Sequence, residues 1–281
     1  MNTNHISRKI GAAAVIALIA QPLWAGVVFE VETTWHSGPD RGPETSEMSV
    51  EGSNLKMEIP PGDSGAGKDV AIWRGDRREM VFVDHRDKAY MVIDSSSAKD
   101  VRNQIGSQMQ QAMKEVEKHM EGLDPKQREM MQEMLKGKMP PGAASGMPTR
   151  PTTEFRRTGE RAKKAGYPCV RYDVLRDGEK IQELWVTDWD NVEGGEDAKD
   201  VFKDMNAFFE ELGDSFGGAG FGDGQFDTFE EVNGFPVVTR DFDDGSLESE
   251  TTLRSARRQT LDPDAFEPPS GYKRRTMLGA P

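Results

Sequence analysis

The residues with the most chemical promise are methionines. Met109, Met113, Met120, Met130, Met131, Met134 and Met139 crowd one stretch, out of 15 methionines in a chain of 281 residues. Thioethers are soft ligands that suit Cu(I), and Met109 and Met113, four residues apart, share a helix face. A copper centre would more often add clustered His or Cys, and this stretch offers only His119. An adaptable apolar surface fits the pattern better, because the side chain is unbranched and polarisable. Histidine chemistry is thin. His36 ends a strand-like run and His85 sits in a turn. Both read as exposed loop residues, outside any metal-ligand spacing or nucleophile elbow. Gly65-Ala66-Gly67-Lys68 precedes a strand, the wrong context for a phosphate loop. Cys169 is the lone cysteine and reads as a buried structural thiol. The acidic run from Glu193 to Asp214, with Asp223, Asp227, Glu230 and Glu231, lacks the alternation and closing Glu of a calcium loop. It reads as a solvated face. No catalytic residue, metal ligand or cofactor is expected.

The beginning of the chain has the marks of a signal peptide. Arg8 and Lys9 precede an apolar run from Ile10 to Ala20 that is too short to span a bilayer, and Leu23-Trp24-Ala25 resembles a cleavage site. Cleavage after Ala25 leaves a chain directed to the periplasm, not lipidated and with no stable membrane span. Losing Arg8 and Lys9 from 36 Lys+Arg, against 49 Asp+Glu, gives the mature chain a net charge of −15. Acid on that scale disfavours nucleic acid as a partner.

The elements that must position any site are mostly strands. Val27, Phe29, Val31, Thr33 and Trp35 alternate with Glu30, Glu32, Thr34 and His36, a half-buried strand. Short apolar runs joined by tight turns follow up to Ile93, implying antiparallel neighbours. From Ser97, with Asp100 as a capping partner, the period becomes helical, and residues 95–140 read as a Met-rich helical hairpin. Thr153 to Arg157 is polar and edge-like. Two echoing units come next. Gly166-Tyr-Pro-Cys runs to Asp177-Gly178 and a second strand; Gly234-Phe-Pro-Val runs to Asp244-Gly245 and another. Asp-Gly between strands signals a two-residue hairpin turn. Between them Val201, Met205, Phe208 and Leu212 mark an acidic amphipathic helix, and residues 195–224 comprise that helix and a Gly-rich loop. Near the end, Phe266 and Tyr272 are expected to dock on the sheet, and residues 273–281 to form a disordered tail.

Gly166-Tyr167-Pro168-Cys169, Glu183-Leu184-Trp185-Val186, Leu261-Asp262-Pro263 with Phe266 and Pro269-Ser270-Gly271-Tyr272, and Lys88 to Ile93 ahead of the Met-rich insert carry a resemblance. Together they resemble an exported bacterial family known as domain of unknown function 4412. The resemblance implies a lipoprotein-carrier-like fold, a curved antiparallel sheet with helices across its open side. It implies export, and no activity or functional residue to carry over.

The expected architecture is therefore mainly β (α+β), a curved antiparallel sheet or half-barrel over residues 26–272. One face is buried and one wet; a Met-rich hairpin and an acidic helix complete it. The expected role is binding of a lipid, acyl chain or apolar protein segment, not catalysis. Phe29, Trp35, Phe82, Tyr90 and Trp185 would supply the sheet side, and Met109, Met113, Met131 and Met134 the lid. Two other readings stay open: copper handling through the hairpin, and a hydrolase of unrecognised type. Oligomeric state is left open.

Overall fold

In the computed structural model, alternation makes strands and tight turns make them neighbours. The structure describes residues 26–38, 42–59, 68–97, 152–215 and 231–276, together with Lys99, Asn103 and Ser107. Six strands come first: β1 (Gly26–Trp35), β2 (Glu44–Glu51), β3 (Asn54–Ile59), β4 (Asp69–Arg74), β5 (Glu79–Asp84) and β6 (Ala89–Ile93). After the insert come β7 (Thr153–Lys164), β8 (Tyr167–Arg176), β9 (Glu179–Thr187), a 3-10 turn at Trp189–Asn191 and helix α1 (Gly195–Ser215). Then follow β10 (Phe235–Asp243), β11 (Ser246–Gln259) and β12 (Lys273–Arg275). All twelve strands form one sheet, in the order β12-β6-β5-β4-β3-β2-β1-β11-β10-β9-β8-β7. Two meanders thus meet at a seam, where β1 and β11 run antiparallel. The mainly-β architecture expected from the alternation is the one observed.

The duplicated hairpins match in detail. Asp177-Gly178 and Asp244-Gly245 all have positive φ (52°, 87°, 46° and 75°), which Gly accepts without steric cost and Asp tolerates. In each hairpin two residue pairs close the turn, and the second strand then carries one extra residue. Val174 faces Gln182 while Leu175 faces Lys180; Asp241 faces Ser249 while Phe242 faces Leu247. A bulge at the same offset in both bends and twists each hairpin alike.

The expectation of one buried and one wet face needs correction at β4 and β5. Ala71, Trp73 and Met80 belong to the main core cluster. Val70, Ile72, Val81 and Val83 form a second cluster with Val92 and Phe266. Both faces are covered here, which is why Val70 to Trp73 is a continuous apolar run. The second cover is the segment carrying Leu261, Phe266 and Tyr272. Glu267 clamps it, accepting hydrogen bonds from Arg74 and from Arg77, the latter at 2.7 Å. Tyr272 Oη lies 2.8 Å from His85 Nδ1. His85 is therefore half-buried, not an exposed loop residue.

Two further differences have local causes. The tail expected from residue 273 begins instead with β12, which pairs in parallel with β6 from Lys273 opposite Ala89. The docking of Tyr272 delivers the next residues to that free edge. The helix expected to start at Ser97 already includes residues 95–97. Asp94 is its N-cap: Oδ1 accepts from the N–H groups of Ser96 (2.9 Å) and Ser97 (2.7 Å), and Ser97 Oγ accepts from the Asp94 N–H at 2.8 Å. This is the reciprocal capping arrangement, three residues earlier than the sequence suggests. Burial raises the Asp94 carboxyl, but hydrogen bonds from Ser97 and Ser96 outweigh it and hold the group below its ordinary value. Asp94→Ala should cost about 0.5–2 kcal/mol. Its first sign would be faster amide exchange at residues 95–97 at neutral pH, and unchanged protection there would contradict the cap.

Candidate binding face

The main core lies between the sheet and α1. Val201, Phe202, Met205, Phe208, Phe209 and Leu212 of the helix are buried, and their positions repeat at helical spacing. Its acidic residues Asp197, Asp200, Asp204, Glu210 and Glu211 face outward. Beneath lie Phe29, Trp73, Trp185, Trp189 and Phe235. Phe208 tilts on Trp73 with ring centroids 4.9 Å apart, and Phe29 stacks on Phe235 at 5.2 Å. Trp189 meets Phe235 edge-on at 5.7 Å. The start of α1 is held tightly to the sheet. Gly194 has φ +71°, and a Cβ there would strike Val27; one on Gly195 would strike the Trp189 carbonyl.

Along β9 this apolar face gives way to charge. Glu183 lies two residues from Trp185 and so on the same side of the strand. It accepts hydrogen bonds from Trp185 Nε1 (3.0 Å), Lys180 Nζ (3.0 Å) and Arg240 Nη1 (2.9 Å). Arg240 also donates to Glu250 at 2.6 Å. Beside it, Asp241 accepts from Gln182 (2.8 Å) and Ser249 (2.6 Å). Burial alone would raise the Glu183 carboxyl, but these donors and the Lys180 and Arg240 charges bring it below the ordinary glutamate value.

Of the residues singled out from sequence, Phe29 and Trp185 lie in the main cluster and half-buried Phe82 packs against it. Trp35 is half-buried at the end of β1, opposite Ser249. Tyr90 belongs elsewhere, packing against the second cluster with Tyr272. Met109, Met113, Met131 and Met134, and residues 1–25 read as a signal peptide, lie outside the described residues. Sequence reasoning passed over Trp73, Trp189 and Phe235 as parts of the face. Trp73 closed an apolar run, and Phe235 followed the Gly of a hairpin unit, so both were visible only as strand residues. Cys169 is buried, as expected, with burial pushing its thiol up. Among the described residues no group of three or more His, Cys, Asp or Glu could hold a metal ion. No helix among them is long and apolar enough to cross a membrane.

A family model described as "Domain of unknown function (DUF4412)" matches residues 98–272, more than half of the chain. The chain belongs to this family. The match takes in β7 to β11, α1 and the docked segment, and leaves β1 to β6 outside it. No curated protein matches the chain. Solved structures do. PNGF-II is similar with a TM-score of 0.37 and 9% identity over 90% of this chain and 31% of its own. The chain thus spans under a third of that protein's length. A domain from Vibrio parahaemolyticus, provisionally assigned as an outer membrane lipoprotein-sorting protein, has a TM-score of 0.22 and 9% identity, covering 87% of this chain and 90% of its own.

Proposed function

We propose that this DUF4412 chain is an exported, periplasmic binding module for an apolar guest, an acyl chain or an apolar protein segment, and that α1 occupies the guest's seat. The support is the seating of α1 itself: an amphipathic helix laid apolar-side down on an aromatic floor is the helix-in-groove mode of recognition. The guest would lie on Phe29, Phe82 and Trp185, with Met109, Met113, Met131 and Met134 supplying an adaptable second wall. Flexible methionine surfaces suit varied guests.

Magnitudes keep exchange within reach. Six buried α1 side chains at about 1.5–3 kcal/mol each contribute roughly 9–18 kcal/mol gross. A sixteen-carbon acyl chain, at about 0.8 kcal/mol per CH₂, gains roughly 12 kcal/mol gross. The gross gains are of the same order, but a free guest also loses translational and rotational freedom that the tethered helix does not, so weakening the helix should favour the guest. Native mass spectrometry of protein recovered from the periplasm should reveal a co-purifying lipid or peptide mass. Phe208→Ala should raise uptake of a fluorescent fatty acid at least fivefold over the unaltered chain. An apo mass together with no uptake by either chain would remove this reading.

A further inference from the structure

The edge strand β7 carries a second candidate site, whose cations stand on the face of the sheet away from Cys169 and Trp185. Arg157 faces Tyr172, Arg161 faces Val170 and Lys163 faces Pro168. Directly paired residues share a face, and these β8 partners are two residues apart. The three cations therefore stand in one row, at intervals of about 6.8 Å. A plain ladder would not build this row. Thr158, Gly159 and Glu160 together oppose the single residue Arg171, and that bulge sets Arg161 beside Val170 in place of Pro168. Bulges re-aim side chains, and here the result is three adjacent positive charges in a chain of net charge −13.

The basic residues next to this row behave differently. Arg156 is paired with Glu154, and Arg171 with Glu160. Arg157, Arg161 and Lys163 have no side-chain hydrogen bond or ion pair among the described residues. All three are exposed. They line one cavity of about 680 Å³ that wraps the sheet edge, with Ala162, Pro168, Cys169, Val170 and Val186 as its apolar wall and Asp188 as its one acidic residue. Two guanidinium forks and an ammonium leave a net positive, partly apolar recess, and such forks match phosphate oxygens in bidentate pairs.

We infer that this recess binds the phosphate group of a small phosphate ester, whether free or as a lipid headgroup. The three cations that would hold the phosphate are not part of the α1 face, so each reading can fail without the other. Calorimetric titration of the mature chain with inorganic pyrophosphate, and with dihexanoyl phosphatidic acid below its micelle concentration, tests it. At least one probe should bind, more weakly as salt rises from 50 to 300 mM. Arg157→Gln with Arg161→Gln should lower that affinity at least tenfold, and Lys163→Gln alone at least threefold. Arg156→Gln, on the other face, should change it less than twofold. Binding of pyrophosphate points to a soluble ester; binding of phosphatidic acid alone points to a lipid. Absence of binding by the unaltered chain to both probes, or equal losses in the Arg156 variant, overturns the inference. Thermal melts by circular dichroism should coincide for all variants, because the substituted side chains are exposed.

Discussion

Phe208→Ala should lose about 3–5 kcal/mol of stability. The ring is fully buried and lies between Trp73 at 4.9 Å and Phe209 at 5.5 Å. Truncation removes the burial of an aromatic side chain and leaves a cavity that the sheet, fixed by hydrogen bonds on both sides of Trp73, cannot collapse to fill. Domains are stable by only about 5–15 kcal/mol, so a large share of the total is at stake. Urea unfolding should show a lowered midpoint with little change in slope. Met205→Leu, equally buried and nearly equal in volume, should cost less than about 1.5 kcal/mol. If Phe208→Ala shifted stability by under 1 kcal/mol, α1 would not be packed as described, and the gain in guest uptake would lose its cause.

Glu183→Ala should cost about 2–4 kcal/mol. Removing one partner from a fully buried ion pair costs about 3–5 kcal/mol. The figure is set lower here because Lys180 and Arg240 keep 35% and 32% of their side chains exposed, and water screens what they lose. The carboxylate is only 9% exposed, and its removal strands the Trp185 N–H as well. The same group ties stability to pH. Its folded pKa lies below the unfolded one. The contribution is therefore complete above the ordinary glutamate value and disappears as pH falls through the lowered folded value. Denaturation midpoints measured from pH 7 down to pH 3 should decline more gently for Glu183→Gln than for the unaltered chain. Parallel curves would mean that Glu183 takes no part in the acid dependence.

Local chemistry was legible from the sequence, and long-range adjacency was not. The Asp-Gly turns depend on neighbouring residues and stand in the structure as read. β1 is a strand as read, but its first four residues are all buried, Val28 on the face read as wet among them. The stripe Val201, Met205, Phe208 and Leu212 was equally plain. What it packs against was hidden, because Trp73 and Phe208 are 135 positions apart. The Glu183 network was invisible for a similar reason: Arg240 and Glu250 reach it only through the registers of β10 with β9 and β11. Bulges are the hardest to foresee. The extra residues at Thr158 to Glu160 look like ordinary strand in Thr153 to Lys164, and only the register shows which cations they bring together. The cap at Asp94 was misplaced because Asp94 and Ser97 offer two overlapping starts, and the pattern alone favours neither.

The seam between the meanders also dictates an order of assembly. Thr33 Oγ1 meets Thr251 Oγ1 at 2.9 Å across 218 positions of chain, whereas the other antiparallel pairings mostly join consecutive strands. Each meander can form from local contacts, but their union must pay the entropy of a very long loop and comes late. A chain that emerges amino end first therefore presents β1 with one side unpaired until β11, near the far end, has followed. Until then the edge of the first half-sheet stays open to any other strand that arrives before its own.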